Sequence, residues 1–483
     1  MTLKRLALFS GPALGILMPL LVDIPDHPNA ARMMGVVVWM AIWWISECVP
    51  LPVTALIPLI AYPLSGIAVA KDVAPRYMTS IMFLFVGGFL IAQAMERTGL
   101  HRRIALQILS RWHASPLQIL AGFACVSAFL SMWISNTATT MLMATIGIAV
   151  LKRLDQQLES ERLLVFAPML LLIIAYAANI GGMGTPVGTV PNLVLLENIN
   201  VINPQLRPSF LQWMMIGVPV VVIGIVILIA VFAWKVRGLA WTASTGVGLE
   251  QELLSLGVMG RDEKLVGWVL GLTALAWMTR TGIRTDTFTI PGWSSLLPYG
   301  GVDDGTVAIA GAITLFLLPG RENRPILGYE AFGKLPWGIL ILLGGGFALA
   351  MGMQKSELSL WIGLQLQFFA DVPIVVMLVG VALMMTFLTE ITSNTAITQV
   401  MLPVLAAVAV SSQQDVMLLL MTATLTASCA FMLPTATPPN AIVFGSERIP
   451  MTTMVKTGLK LNFILPLVIV LVVYMLRPLL PTV

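Results

Sequence analysis

Apolar runs close to the length that crosses a bilayer follow one another along almost the whole chain. A membrane-spanning helix needs about 20 consecutive, mostly apolar residues, and only 10% of the 483 residues are charged, against roughly 25% in a soluble domain. No polar block is long enough to form a separate soluble domain. The sequence therefore predicts a single integral membrane unit over residues 1–483. We expect no nucleic-acid partner despite the net charge of +4, because the basic residues fall in short loops between the runs.

The pattern predicts an all-α polytopic protein with about eleven transmembrane helices and two re-entrant hairpins. Residues 116–151 and 373–411 are each too long for one crossing and are interrupted near the middle by Ser-Asn-Thr, so each predicts a hairpin. Amphipathic segments at 96–115 and 355–371 precede them and predict helices in the membrane interface. The predicted crossings are residues 6–22, 33–50, 51–70, 79–95, 163–196, 211–234, 264–280, 304–319, 335–354, 416–446 and 458–477.

Two of these crossings contain breaks. The sequence GGMGTPVGTVPN at 181–192 interrupts segment 163–196, and LPTATPPN at 433–440 interrupts segment 416–446. Glycine and proline do not sustain the hydrogen-bond ladder of a helix. Irregular backbone at membrane depth is tolerated only where protein or a water-filled cavity satisfies its polar groups. Four broken elements, two in each half of the chain, therefore predict a polar site inside the membrane.

An internal repeat relates the two halves. Ser135-Asn136-Thr137 and Ser393-Asn394-Thr395 lie 258 positions apart, and so do Gly88-Phe89 and Gly346-Phe347. The fourth crossing matches the ninth, an odd shift, so the second copy runs upside down in the membrane. We predict inverted repeats over 33–235 and 264–477, an arrangement typical of secondary transporters, with a channel as the less favoured alternative.

The basic residues predict the orientation. With the N-terminus in the cytoplasm, 19 of the 27 lysines and arginines lie on the cytoplasmic side, as the positive-inside rule requires. This places the protein in the cell (inner) membrane, with the C-terminus on the outer side. The 116–151 hairpin then enters from the cytoplasm, and the 373–411 hairpin enters from outside.

The chemistry of the broken elements predicts an anion accompanied by cations. Broken helices direct unpaired N–H groups toward an anion, while unwound carbonyls suit a cation. Residues 114–151 contain no charged residue, and 163–206 and 373–446 contain no lysine or arginine. Helix dipoles contribute about 0.3–2 kcal/mol each, which is small against the cost of desolvating a multiply charged anion. We therefore expect sodium ions, which bind carbonyl, hydroxyl and amide oxygens, to travel with the anion and to supply the missing positive charge.

These same segments resemble a known family. The sequences SMWISNTATT, TEITSNTAIT, GTPVGTVPN, ATPPNAIV and WWISECVPLPVTAL (43–56) are similar to those of the divalent anion/sodium symporters, over nearly the whole chain. The resemblance implies sodium-coupled symport of dicarboxylates such as succinate, malate and fumarate. It also implies an elevator-type motion of a transport domain against a scaffold that forms a homodimer. Citrate, sulfate and tartrate remain open as alternative cargoes.

The resemblance implies a set of site residues. Two sodium sites at least are expected, and the dicarboxylate is expected to lie between the two Ser-Asn-Thr tips. The first sodium site comprises Ser131, Ser135, Asn136 and the backbone around Gly184, and the second comprises Thr389, Thr392, Asn394 and the backbone around Ala436. The substrate residues are Asn136, Thr137, Thr185, Pro186, Ser393, Asn394, Thr395, Thr437 and Pro438.

Two other functions are alternatives to symport. A sodium-independent exchanger of dicarboxylates or citrate is expected to carry basic side chains in place of the sodium ligands, and none occurs in these segments. A membrane enzyme needs a buried nucleophile with a base or a metal site, and no histidine lies within a predicted crossing, so we predict no enzymatic activity. Glu47 and Glu390 are intramembrane carboxylates. For each we favour a buried hydrogen-bonding role over proton transport, because each adjoins a helix end.

Overall fold

The fold is almost entirely helical. A computed structural model describes residues 3–25, 27–112, 115–156, 160–239, 248–284, 289–321, 324–366 and 371–481, and 78% of the structure is helical. Among the described residues, nine helices are long and apolar enough to cross a membrane. The prediction of a polytopic helical membrane protein is therefore confirmed at this level. The number of crossings and the inverted relation of the halves remain predictions.

The N-terminal half contains twelve described α-helices. Short 3₁₀ turns follow α5 at Ala74–Tyr77, α10 at Gly182–Gly184 and α11 at Pro204–Leu206. The helices are α1 (Leu3–Leu21), α2 (Pro28–Ser46), α3 (Leu51–Thr54), α4 (Ile57–Ser65), α5 (Ala70–Val73), α6 (Ser80–Thr98), α7 (Leu100–Leu109), α8 (Pro116–Ser131), α9 (Asn136–Asp155), α10 (Ser160–Gly181), α11 (Val190–Ile202) and α12 (Phe210–Val236).

The C-terminal half contains eleven described α-helices and one small sheet. Strands β1 (Gly282–Arg284) and β2 (Thr289–Pro291) pair antiparallel, with Gly282 opposite Pro291. The helices are α13 (Leu249–Ser255), α14 (Arg261–Thr279), α15 (Asp304–Leu317), α16 (Glu330–Gly333), α17 (Trp337–Lys355), α18 (Leu358–Gln365), α19 (Ile374–Ile391), α20 (Asn394–Ser411), α21 (Val416–Thr426), α22 (Pro438–Phe444) and α23 (Met451–Met475). Further 3₁₀ turns occur at Trp293–Leu296 and Arg477–Leu479.

Three predictions about these elements are wrong in detail. Segment 51–70 is not one helix but two, α3 and α4, each with a proline in its first turn, where proline's missing N–H carries no cost. The break in segment 416–446 begins at residue 427, after α21, rather than at 433. The strands β1 and β2 are an exception to the predicted all-α fold. The segments at 96–115 and 355–371 contain α7 and α18, while residues 113–114 and 367–370 lie outside the described residues.

The packing brings the two halves together at their broken elements. Helices α8 and α9 contact α10, and α19 and α20 contact α21, so each hairpin lies against the first piece of the broken helix of its own half. The second pieces cross over, because α22 contacts α9 of the first hairpin and α11 contacts α20 of the second. Helix α12 contacts α8 and α10, and α23 contacts α19 and α21. Helices α6, α14 and α15 all contact one another, and this group also contacts α11 through α6 and α12 through α14.

Candidate functional site

Both hairpin tips and both helix breaks line one cavity of about 880 Å³, a size typical of small-molecule sites. Helices α6 and α17 and the end of α2 complete its wall. Ten of the predicted site residues line it: Ser135, Asn136, Thr137, Thr392, Ser393, Asn394, Thr395, Ala436, Thr437 and Pro438. Five do not line it: Ser131, Gly184, Thr185, Pro186 and Thr389.

The two tips share a backbone arrangement and differ in one side-chain bond. Helix α9 begins at Asn136 and α20 begins at Asn394, each directly after a serine at the N-cap position. The Oγ of Ser135 accepts a hydrogen bond from the N–H of Ala138 at 3.2 Å, which is the usual N-cap arrangement, whereas the side chain of Ser393 makes no cap hydrogen bond among the described residues. Each tip therefore presents a helix N-terminus, with its unpaired N–H groups, to the cavity.

A hydroxyl buried behind each tip holds the asparagine. Ser131 Oγ donates to Asn136 Oδ1 at 2.6 Å, and Thr389 Oγ1 donates to Asn394 Oδ1. The two pairs are 258 positions apart, like the tips. Ser131 and Thr389 are fully buried. Neither hydroxyl lines the cavity itself, and each lies behind the asparagine to which it donates. Each pair supplies two oxygens of the kind that coordinates a hard cation.

Further oxygens surround each pair. Thr389 Oγ1 also lies 2.9 Å from the carbonyl oxygen of Ala427, at the start of the second break. Thr392 Oγ1 is buried and has no hydrogen-bond partner among the described residues. In the first half, an ideal Cβ added to Gly182 would lie 2.6 Å from Asn136 Oδ1. Only glycine thus lets the backbone of the first break approach this oxygen.

One asparagine bridges each break. Asn192 Nδ2 donates to the carbonyls of Gly182 at 3.0 Å and Thr185 at 2.8 Å. Asn440 Nδ2 donates to the carbonyls of Ala430 and Leu433, both at 3.0 Å. Asn192, Gly182 and Thr185 each lie 248 positions before Asn440, Ala430 and Leu433, respectively, whereas the tips lie 258 positions apart. The structure therefore fixes how the two breaks correspond, and the offset differs from that of the tips.

The offset of 248 indicates which threonine of the first break corresponds to Thr437 of the second. Thr189 is at the N-cap position of α11 and Thr437 at that of α22, with nearly equal backbone angles of φ −147°, ψ 150° and φ −141°, ψ 151°. The Thr437 side chain accepts a cap hydrogen bond from the N–H of Asn440, whereas Thr189 makes none among the described residues. Thr189 and the neighbouring Pro191 line the cavity. The predicted residue Thr185 is instead 0% exposed, and its Oγ1 donates to the Met132 carbonyl at 2.5 Å. Thr189, not Thr185, is the counterpart of Thr437, although the repeated Thr-x-Pro-Asn pattern at 189–192 and 437–440 is visible in the sequence.

The carboxylate of Glu390 binds backbone N–H groups of the second break. Its Oε1 accepts from the N–H groups of Phe431 at 2.6 Å and Met432 at 2.8 Å, and its Oε2 accepts from that of Leu433 at 3.0 Å. Asn462 Nδ2 also donates to Oε1, at 2.7 Å. The residue is 4% exposed. These bonds agree with the predicted hydrogen-bonding role, because they occupy the carboxylate with backbone donors.

Glu47 differs from Glu390 and does not have the buried role predicted for it. It ends α2 in a left-handed conformation with φ 46°, and its side chain is exposed. Lys4, on α1, is exposed as well. These two are the only charged side chains among the described residues that line the cavity. The sequence did not indicate Lys4, because it lies more than 100 positions from either tip.

Two further residues were missed by the sequence analysis. Asn179 lines the cavity, and its Nδ2 donates to Thr437 Oγ1 at 3.2 Å. Tyr176 lies one helical turn earlier and donates from its hydroxyl to the Phe431 carbonyl at 2.6 Å. Helix α10 of the first half thereby holds the break of the second half. A polar asparagine inside an apolar crossing was the available signal.

A family comparison agrees with this architecture. The model of the sodium:sulfate symporter transmembrane region matches residues 3–481. The chain belongs to this symporter family. The resemblance to divalent anion/sodium symporters inferred from the motifs is thus confirmed.

Curated relatives and a solved structure extend the comparison. A Staphylococcus saprophyticus protein named sodium-dependent dicarboxylate transporter SdcS is 39% identical, over 98% of this chain and 92% of its own. Its Staphylococcus aureus namesake is 37% identical, over 98% and 91%. The Neisseria gonorrhoeae MtrF structure, from a class of antimetabolite efflux pumps, has a TM-score of 0.58 over 96% of both chains. At 12% identity, MtrF shares the fold alone. The family and these relatives are transporters.

The role of Glu390 is tested by Glu390→Gln. The neutral amide presents an NH₂ group where a backbone N–H now donates, so we expect a loss of roughly 2–3 kcal/mol and a lower apparent melting temperature in detergent. Glu250→Gln, at an exposed position of α13, is the matched control and should melt like the unaltered protein. A proton carrier would give the opposite pattern: unchanged melting of Glu390→Gln, and transport that no longer depends on pH.

Proposed function

We propose that this protein is a secondary transporter that carries dicarboxylates into the cell by symport with sodium ions. The observation that carries the proposal is the convergence of two Ser-Asn-Thr tips and two helix breaks in one cavity. The sodium-dependent dicarboxylate transporters from Staphylococcus, at 37–39% identity over nearly the whole chain, support the same activity.

The dicarboxylate lies between the two tips in this proposal. One carboxylate meets Asn136 and Thr137 at the start of α9, and the other meets Ser393, Asn394 and Thr395 at the start of α20. The opposing N-termini of two helices suit an anion with a negative charge at each end. Thr437 with Pro438, and by the offset of 248 Thr189 with Pro191, complete the site from the breaks. Thr189 and Pro191 take the place that the family resemblance gave to Thr185 and Pro186.

Sodium ions provide the compensating charge. We assign one ion to Ser131, Ser135, Asn136 and the backbone around Gly184, and another to Thr389, Thr392, Asn394 and the backbone around Ala436. The hydroxyl–amide pairs and the unpartnered Thr392 Oγ1 support this assignment. Because Asn136 and Asn394 belong to both the ion sites and the substrate site, binding of ions and of substrate is coupled through them.

Lys4 favours one alternative, sodium-independent exchange. A basic side chain in the cavity is what an exchanger would use to neutralise its cargo. Lys4 is exposed, however, and shares the cavity with the opposite charge of Glu47. An exposed charge contributes at most about 1 kcal/mol, too little to hold a dianion without ions.

We further propose an orientation and a motion. The distribution of basic residues places Lys4 and Glu47 on the cytoplasmic side, so the cavity opens inward in this structure. The hairpins, α10 to α12 and α21 to α23 form the moving body of an elevator, and α6, α14 and α15 belong to the scaffold of a homodimer. The contacts within each group support a transport domain that moves against a scaffold. The repeated offsets of 258 and 248 support the proposal that the transport domain is built from inverted repeats.

Sodium coupling is tested by radiolabelled succinate uptake into proteoliposomes. We expect uptake with an inward sodium gradient and little with potassium or choline. Asn136→Ala and Asn394→Ala should each weaken it at least about tenfold, because each removes a hydrogen bond to a charged group. Asn203→Ala, outside the cavity, is the control. Equal uptake in all three salts would contradict symport.

The correspondence of the breaks is tested by three isosteric changes. Thr189→Val and Thr437→Val should each raise the KM for succinate about tenfold, since each removes a hydroxyl from the cavity. Thr437→Val should also lower the melting temperature, because the Thr437 hydroxyl accepts hydrogen bonds from Asn179 and from the N–H of Asn440. Thr185→Val should lower the melting temperature and leave KM nearly unchanged, because its hydroxyl bonds to Met132 inside the protein. A large KM effect at Thr185 with none at Thr189 would reverse our assignment.

The role of Lys4 is tested by Lys4→Gln, with the neighbouring Arg5→Gln as the control that lies outside the cavity. We expect a rise in KM of at most about fivefold, reduced further at high ionic strength, and an unchanged dependence on sodium. Complete loss of uptake in Lys4→Gln alone would mean that a protein cation, rather than sodium, neutralises the cargo.

A further inference from the structure

Three lysines meet where α12 ends and α23 begins. Lys235 Nζ donates to Thr457 Oγ1 at 2.6 Å, and Lys456 and Lys460 lie close enough for their positive charges to act on Lys235. Within the described part of the chain, which omits residues 240–247, none of the three forms an ion pair with a carboxylate. The described residues thus hold three like charges together without a counter-charge among themselves.

The surroundings place this cluster at the membrane surface. Lys460 Nζ lies 5.2 Å from the centre of the Trp234 ring, and tryptophan side chains concentrate at the level of the lipid headgroups. Both α12 and α23 are apolar enough to cross the membrane. A single lysine at such a helix end would simply extend into water. Three that repel one another are stabilised when they share an anion.

Two apolar stripes run from the lysines toward the middle of the membrane. On α23 the residues follow Lys460 at intervals of three or four. On α12 one interval is four and the other is eight, with the small Ala230 midway. Each set therefore lies on one face of its helix. Helices α12 and α23 contact each other, and Lys460 of α23 lies over the Trp234 ring of α12, so the two stripes begin side by side at the lysines. The members, 46–67% exposed, are Phe463, Leu467 and Leu471 on α23 and Trp234, Val226 and Val222 on α12.

We propose that Lys235, Lys456 and Lys460 bind the phosphate of an anionic phospholipid whose acyl chains lie along these two stripes. The ammonium groups donate to the phosphate oxygens, and the stripes cover hydrocarbon that a free phosphate ion does not possess. The distribution of basic residues assigns the lipid to the cytoplasmic leaflet, where anionic lipids attract lysines. This site is separate from the central cavity, so its test does not depend on the transport activity.

Native mass spectrometry of the full-length protein in detergent measures this binding. Phosphatidylglycerol should be retained more strongly than phosphatidylcholine, and millimolar inorganic phosphate should not displace it. Each lysine near a charged lipid contributes about fivefold, so Lys235→Gln, Lys456→Gln and Lys460→Gln together should weaken phosphatidylglycerol binding about a hundredfold. The three corresponding arginine substitutions should restore it.

The matched control removes the same charge elsewhere. Lys152→Gln, Lys264→Gln and Lys334→Gln, at three separate exposed positions, should change phosphatidylglycerol binding less than twofold. Equal losses in the control and in the cluster variant would overturn the proposal, since the protein's overall charge would then explain binding. Displacement of the lipid by inorganic phosphate would overturn it as well, because the site would then be a phosphate site only.

Discussion

The backbone polar groups exposed by two helix breaks at membrane depth must be satisfied inside the protein, and the rest of the site depends on how this is done. Asn192 and Asn440 each bind two carbonyls across a break. Trp213 Nε1 donates to the Met183 carbonyl at 3.0 Å, and Glu390 accepts from three consecutive N–H groups. Both breaks can therefore line a cavity for polar ligands while these backbone groups are satisfied by protein rather than exposed to lipid.

The two halves satisfy the backbone groups of their breaks with different side chains. Glu390 lies 258 positions after Met132, so a carboxylate stands behind the second tip and a thioether behind the first. Tyr176 and Asn179 of the first half hold the second break, whereas the first break is held by Asn192 and Trp213. The two ion sites we propose therefore have different electrostatic surroundings. Ions bound there are expected to differ in affinity, even though the hydroxyl–amide pairs are alike.

The sequence predicted those features that depend on local chemistry. Glycine, proline and Ser-Asn-Thr located the tips, the first break and the later part of the second break, and the offset of 258 matched the tips. The start of the second break at residue 427 was not predicted, because residues 427–432 contain no glycine or proline. The sequence did not predict the correspondence of the breaks, because the second half is ten residues shorter between tip and break and the offset becomes 248. The family motif pointed to Thr185, while hydrogen bonds in three dimensions select Thr189. Lys4 and Glu47 reach the cavity only through packing of α1 and α2, which no local pattern encodes.

Charge balance decides between symport and exchange for such a cavity. Lys4 and Glu47 cancel each other, so the described lining carries no net charge to offset a dianion. Helix N-termini supply partial charges of about half a unit each, and a desolvated dianion needs considerably more. Mobile cations provide it only when cargo is present, and they leave with it. A fixed basic side chain would instead need an anion at all times. The cavity would then release one anion only when another replaces it, which suits exchange. The neutral tips therefore favour net uptake, driven by the ions that we propose the tips bind.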